Sequence, residues 1–256
     1  MNLLLLKLLL TPALIGLASL AGRKWGHAIS GWIVALPLTT GPIVLFLALT
    51  HGAAFAAETA AGILAGGFSL VAFTIAYARL ALRWNWLPTL AGASAAFLMM
   101  TAILRMVQLP ILPLWIAVLL ALLLSLRLLP HLPETQTTEV LPGRWDIPLR
   151  MLITTTFVVL ITGVAPVLGP HLAGLLSPFP LFTATLAAFA QQQYGAPAAL
   201  SVLRGLLLGL FSYASFMFTL ALLLAPIGIA AAFAVAILVV IVIQAASLRL
   251  LRAGIG

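Results

Sequence analysis

Leu36-Pro37-Leu38-Thr39-Thr40-Gly41-Pro42 and Ser177-Pro178-Phe179-Pro180-Leu181-Phe182-Thr183-Ala184-Thr185 decide how this chain reads. Each stretch lies inside a long apolar run and carries two prolines with threonines close by. Proline lacks an amide donor and clashes with the preceding turn, so each stretch predicts a broken or kinked helix. The two are in register: Pro37-Leu38 matches Pro180-Leu181 and Thr40 matches Thr183, a spacing of 143 residues.

The same spacing continues outward without a gap. Gly26 matches Gly169, Gly31 matches Gly174, Phe46 matches Phe189, and Gly52-Ala53 matches Gly195-Ala196. Gly62 matches Gly205, Gly66 matches Gly209, Phe68-Ser69 matches Phe211-Ser212, and Phe73 matches Phe216. Chance matches in such a chain would fall on Leu and Ala. These fall mainly on Gly, Pro, Ser, Thr and Phe, which indicates a duplicated unit.

The 256 residues are 64% hydrophobic and 6% charged. A soluble domain carries roughly a quarter charged residues. Apolar runs of about 20 residues, enough to cross a bilayer core of about 30 Å, recur along the whole length. The reading is an all-α polytopic membrane protein, with spans near 3–21, 28–49, 55–78, 87–104, 109–129, 148–168, 171–190, 198–223 and 227–248. Residues 1–21 resemble a secretory signal, but Arg23 and Lys24 follow the apolar run rather than precede it. The segment also has a counterpart at 147–164.

Of the twelve Lys and Arg residues, ten fall on one side of these nine spans; Lys7 and Arg105 fall on the other. The positive-inside rule then places the N-terminus outside and the C-terminus in the cytoplasm. Trp25, Trp84, Trp86 and Trp145 sit near the cytoplasmic boundary as interfacial anchors. The net charge of +8 reflects loop placement rather than nucleic-acid binding. There is no cysteine, hence no disulfide or thiol site.

A 143-residue offset equals five spans, and an odd number turns the second copy upside down. The expected plan is 4+1+4: an N-terminal four-helix repeat at 1–108, a linking helix and cytoplasmic loop at 109–146, and an inverted repeat at 147–256. Inverted repeats with discontinuous helices are the sequence sign of a transporter whose site lies between the copies. Two similar halves facing opposite ways give inward-open and outward-open states of similar energy.

The expected substrate site comprises Pro37, Thr39, Thr40, Gly41, Pro42, Pro178, Pro180, Thr183 and Thr185. Backbone groups freed by prolines inside a membrane need protein, water or a ligand as partners. The plainer reading is that each threonine bonds its own helix. Glu58, His51 and Arg204 are candidates for ion or proton coupling, because an ionisable residue near a span is a functional hypothesis. His51 and Glu58 share a helical face if one helix runs through both. Each of the three also has an interfacial reading, with Arg204 snorkelling to the surface. Gly62-x-x-x-Gly66 and Gly205-x-x-x-Gly209 predict close helix packing, with Ser69 and Ser212 one turn further on. Gln191-Gln192-Gln193-Tyr194 reads as a polar turn.

No phosphate-binding glycine motif, zinc-ligand spacing or nucleophile elbow is present, so no enzyme, cofactor or metal is expected. The expected function is a transporter of a small polar metabolite or ion in a bacterial inner membrane. Its partners are the lipid bilayer and the solute, and a monomer suffices. The alternatives are a channel or a non-transporting, lipid-interacting assembly.

Gly31 with Pro37-Leu38-Thr39-Thr40, and Gly174 with Pro180-Leu181-Phe182-Thr183, give each half a weak resemblance to the small GlpM-like bacterial membrane proteins. The resemblance implies a four-helix membrane fold and no particular reaction. Fused dual-topology fluoride channels and small multidrug exporters share the plan, but their pore Asn and first-helix Glu have no counterpart here.

Overall fold

A computed structural model describes residues 9, 12, 13, 36–107, 109–130 and 146–252. The expected first span, the start of the second, and the loop at 131–145 lie outside the described residues, as do Arg23, Lys24, Gly31, Arg144 and Trp145.

The described residues form helices and no strand. In chain order these are α1 (Thr40–His51), α2 (Ala53–Ala65), α3 (Gly67–Leu80), α4 (Trp86–Leu104) and α5 (Ile111–Leu128), followed by α6 (Asp146–Leu176), α7 (Leu181–Tyr194), α8 (Ala196–Ile227) and α9 (Ile229–Arg252). Gly66, between α2 and α3, keeps helical angles, so Ala53–Leu80 acts as one 28-residue rod. Six helices among the described residues are long and apolar enough to cross a membrane, which marks a multi-pass membrane protein.

Five expected spans coincide with the α2–α3 rod, α4, α5, α8 and α9. The other two differ in where they divide. The backbone turns sharply at Gly169 (φ 76°, ψ 163°), and Pro170 opens a short helical segment that ends at Leu176. The chain then bends through Ser177–Pro180 and resumes as α7. The expected span at 171–190 is thus two half-helices. Before α1, residues 36–39 form a bend and a turn.

The rods differ sharply in burial. About 72% of the central window of α2–α3 and of α8 is buried, against 22% for α4, α5 and α9. The α2–α3 rod and α8 therefore form the centre, and the thinly covered helices form the outer wall. Leu98, Met99, Leu120, Leu124, Leu238 and Val242 are exposed on that wall, as suits side chains facing lipid. Tyr77, Phe46, Phe73 and Phe97 are fully buried. In lipid, such packing rather than hydrophobic transfer holds helices together.

Contacts along α2–α3 set the direction of its neighbours. Gly62 meets the His171 carbonyl and Gly174. One turn on, Gly66 lies against Leu175 and Pro178. At the far end, Tyr77 Oη donates to Gln191 Oε1 at 2.9 Å, and Gln191 Nε2 donates to the Trp84 carbonyl at 2.8 Å. Residues 171–191 therefore run beside residues 62–84 in the same sense, over about 30 Å at the helical rise. The segment passes right along the rod instead of turning back at its proline break. Beyond Gly195, α8 returns in the opposite sense, and Tyr213 Oη reaches the Ile63 carbonyl at 3.4 Å.

The Gly62–Gly174 crossing is backbone against backbone. A Cβ on Gly62 would stand 2.6 Å from the His171 oxygen, and one on Gly174 would collide with the Thr59 carbonyl. The glycines of α2 were expected to give close helix packing, and they seat the broken helix, while α8 also packs on α2, where Tyr213 reaches Ile63.

Candidate functional site

The two breaks lie at the middle of the fold. Gly66, which faces Pro178, is halfway along the 28-residue rod. A Cβ on Gly41 would touch the Phe216 ring at 3.7 Å, and Phe216 lies one turn beyond Tyr213, the residue that reaches Ile63. The first break thus rests on α8 and the second on α2–α3, near the level where those two helices touch. Pro42, Pro178 and Pro180 are buried, and Pro37 and Thr39 are half-buried. Phe179 caps the second break and packs edge-on against Phe97 of α4, with ring centroids 5.2 Å apart.

Six threonines bond their own helix, whereas Thr40 and Thr155 have no partner among the described residues and Thr101 bonds Ser69. Thr50, Thr59, Thr74, Thr162, Thr185 and Thr219 each donate to the carbonyl four residues back, the plain helical arrangement. For Thr185 the acceptor is Leu181 at 3.0 Å. Thr40 cannot do this. The carbonyl four back belongs to Leu36, which precedes the helix and accepts from the Leu38 amide. The Pro37 carbonyl accepts from the Gly41 amide at 2.8 Å. Thr40 is 3% exposed, and its Oγ1 has no hydrogen-bond partner among the described residues. A buried hydroxyl left so costs about 1–3 kcal/mol. Thr183, its counterpart, is equally buried at 3% exposed.

Both half-helices begin without a side-chain cap and without an acidic residue in the first turn. The opposite helix end at the second break is closed off. Ser177 Oγ and its amide both donate to the Ala173 carbonyl, and the Phe179 amide donates to Leu176. A helix N-terminus carries a partial positive charge from its aligned peptide dipoles. The breaks therefore present positive ends and a spare hydroxyl at mid-depth. His171 Nε2, on the segment crossing Gly62, is a further buried polar atom without a partner among the described residues.

The candidate coupling residues fall elsewhere. Glu58 is exposed on the outer face of α2. His51 is exposed at the end of α1, bonded through Nδ1 to Thr50 Oγ1 at 2.7 Å and stacked on Phe55 at 5.0 Å. The chain turns at Gly52 (φ 88°), so no single helix carries His51 and Glu58 on one face. Arg204 is half-buried on α8, nine positions before Tyr213 and so about 13 Å from it along the helix.

Sequence reasoning missed Gln191. It is helical rather than part of a turn, 8% exposed, and ties α7 to the end of α3 through Tyr77, Trp84 and the Ala81 carbonyl. The polar pairs Ser69–Thr101 and Ser212–Gln244 were missed too; they link α3 to α4 and α8 to α9. Both pairs are 32 residues apart in sequence, and Thr101 and Gln244 are themselves 143 apart, which was the signal available.

No family model, curated protein or solved structure matches this chain.

Proposed function

We propose that this protein is a membrane transporter of a small polar metabolite or ion, built as an inverted 4+1+4 repeat of nine spans. Its site lies at the two helix breaks. The first half spans residues 1–108 and the second 147–256, with the N-terminus outside a bacterial inner membrane.

The repeat is supported by helix boundaries that recur at the sequence spacing. α1 ends at His51 and α7 at Tyr194; α2 starts at Ala53 and α8 at Ala196; α4 starts at Trp86 and α9 at Ile229. Gly52 and Gly195 make the same turn, with φ 88° and 82°. Inversion is supported by the opposite senses of the α2–α3 rod and α8, which occupy matching positions in the two halves.

The observation that carries transport is the placement of both breaks midway along this antiparallel pair, one on each partner. Irregular backbone at membrane depth is tolerated where protein buries it or where it lines a wet pathway. In transporters, half-helix ends at the midplane hold the solute. The buried Thr40 hydroxyl, without a partner among the described residues, favours that use over a purely structural kink.

The absence of native cysteine makes the test direct. Thr40→Cys and Thr183→Cys, made singly, are treated in sealed membranes with a small water-soluble thiol reagent. Labelling of both positions, with a sidedness that shifts with solute, is the expected result. Simultaneous access from both sides would mean a channel. Two unlabelled cysteines would overturn both pathway models and leave a structural assembly.

A further inference from the structure

We infer that the solute held at the first break is a small monovalent anion, inorganic or carboxylate, bound by the Thr40 hydroxyl at the N-terminus of α1. This rests on the transport reading above and narrows its substrate class.

Three independent features agree. The first is the electrostatic sign of the site. α1 is a twelve-residue helix whose start has no side-chain cap and no acidic residue. Pro42 removes one amide from its first turn, and the Gly41 and Ile43 amides are already bonded to Pro37 and Thr39. The Thr40 hydroxyl is the side-chain donor at this end.

The second feature is that hydroxyl itself. It is buried and has no partner among the described residues: the break removes the carbonyl that six other threonines use, whereas Thr155, also without a partner, lies within the unbroken part of α6. A hydroxyl can donate to an anion without being ionised, and a helix N-terminus adds attraction for negative charge.

The third feature is the lack of competing negative charge near Thr40 among the described residues. The chain has four Asp and Glu residues. Glu58 is exposed, Asp146 stands at the start of α6, and the other two lie outside the described residues. A cation at Thr40 would face the positive end of a helix with no carboxylate to offset it. A polyanion would need paired basic side chains, and Arg204 stands about 18 Å by helical rise from Phe216, the α8 residue beside Gly41. One negative charge on a small ion fits what is present. The second half has an equivalent opening at α7, also uncapped, with Thr183 in its first turn. An anion released from one break would meet a helix end of the same sign at the other.

The test uses the purified full-length chain, both in detergent and in sealed liposomes. Thermal unfolding is followed in potassium gluconate, with stepwise replacement by chloride, nitrate or acetate at constant ionic strength. For the wild type and Thr40→Ser, at least one small anion is expected to raise the midpoint by about 2–4 °C. In Thr40→Val that rise is lost, and the apparent affinity falls at least about tenfold. Thr40→Val should also melt higher than wild type in gluconate, because an unsatisfied hydroxyl has been removed. A response to chloride or nitrate alone identifies an inorganic anion, and a response to acetate alone a carboxylate.

The inference is overturned if Thr40→Val keeps the anion response of wild type, or if no small anion shifts the midpoint. Should Thr40→Val not fold, Thr40→Ala replaces it with the same expectations for anion response. Liposome flux separates this failure from that of the transport reading. Movement of rubidium or glycerol without anion flux overturns the anion assignment and keeps the transporter. Dry cysteines at both positions remove the transporter as well.

Discussion

The two breaks occupy matching positions in the sequence but differ in how their ends are bonded. At the first, Thr40 is buried with its hydroxyl unused, and α1 runs to an exposed end where Thr50 and His51 bond each other. At the second, Ser177 closes the preceding half-helix and Thr185 bonds its own backbone. Gln191 then fastens the end of α7 to Tyr77 and Trp84. The position matching Gln191 in the first half is Ala48, which has no side-chain polar group. The difference between the two breaks thus lies in the fastening that Ser177 and Gln191 supply at the second. On the repeat reading, matching positions share a backbone geometry, while single substitutions decide whether a polar group placed there is bonded within the fold.

The comparison can be broken most severely at the crossing that supports the second break. Gly174→Leu puts a side chain where the Thr59 carbonyl and the Gly62 backbone already stand. Neither partner can yield as a flexible side chain would. The expected cost exceeds about 4 kcal/mol, read as loss of the monodisperse folded peak in detergent. Retention of a normal peak and melting curve would show that the crossing is far looser than described.

A gentler change makes the second half resemble the first. Gln191→Ala copies the residue at position 48 and strands the buried Tyr77 hydroxyl and the Trp84 carbonyl. We expect a loss of about 2 kcal/mol in chemical unfolding, together with faster amide exchange in α7 than in α1. If α7 keeps its protection, the fastening lies elsewhere and the contrast between the halves fails.

The smallest effect concerns the feature the halves share. Ser69→Ala and Ser212→Ala each remove one interhelical polar contact, to Thr101 and to Gln244. Each should cost about 0.6 kcal/mol, the usual worth of such a bond in a membrane protein. Effects that differ severalfold would show that these matching pairs are not energetically equivalent.

Much of the architecture was legible because membrane helices announce themselves by length and by punctuation. The prolines at 37, 42, 178 and 180 mark the breaks, and Gly52 and Gly195 mark turns, since each residue constrains its own backbone. What depends on a distant partner was not legible. Gln191 at a helix end resembles a surface turn until Tyr77 and Trp84 are known to face it. Gly62 signals a close approach but not which backbone approaches. Thr40 could be named as a candidate from its neighbours. That its hydroxyl is unused, while Thr185 is satisfied, follows only from where each helix begins. His51 and Glu58 show the opposite error, since their seven-residue spacing matters only if the helix is continuous, and Gly52 ends it.

The Gly62–Gly174 crossing also divides the second broken helix into unlike mechanical parts. With no side chains between the two backbones, residues 170–176 lie directly against α2 and have no room to move closer to it. They behave as a clamped rod. α7, by contrast, is joined to that rod by four residues containing two prolines, and a few breakable bonds through Gln191 hold its far end. On the transport reading proposed above, the stroke is delivered by the downstream half swinging on the upstream one.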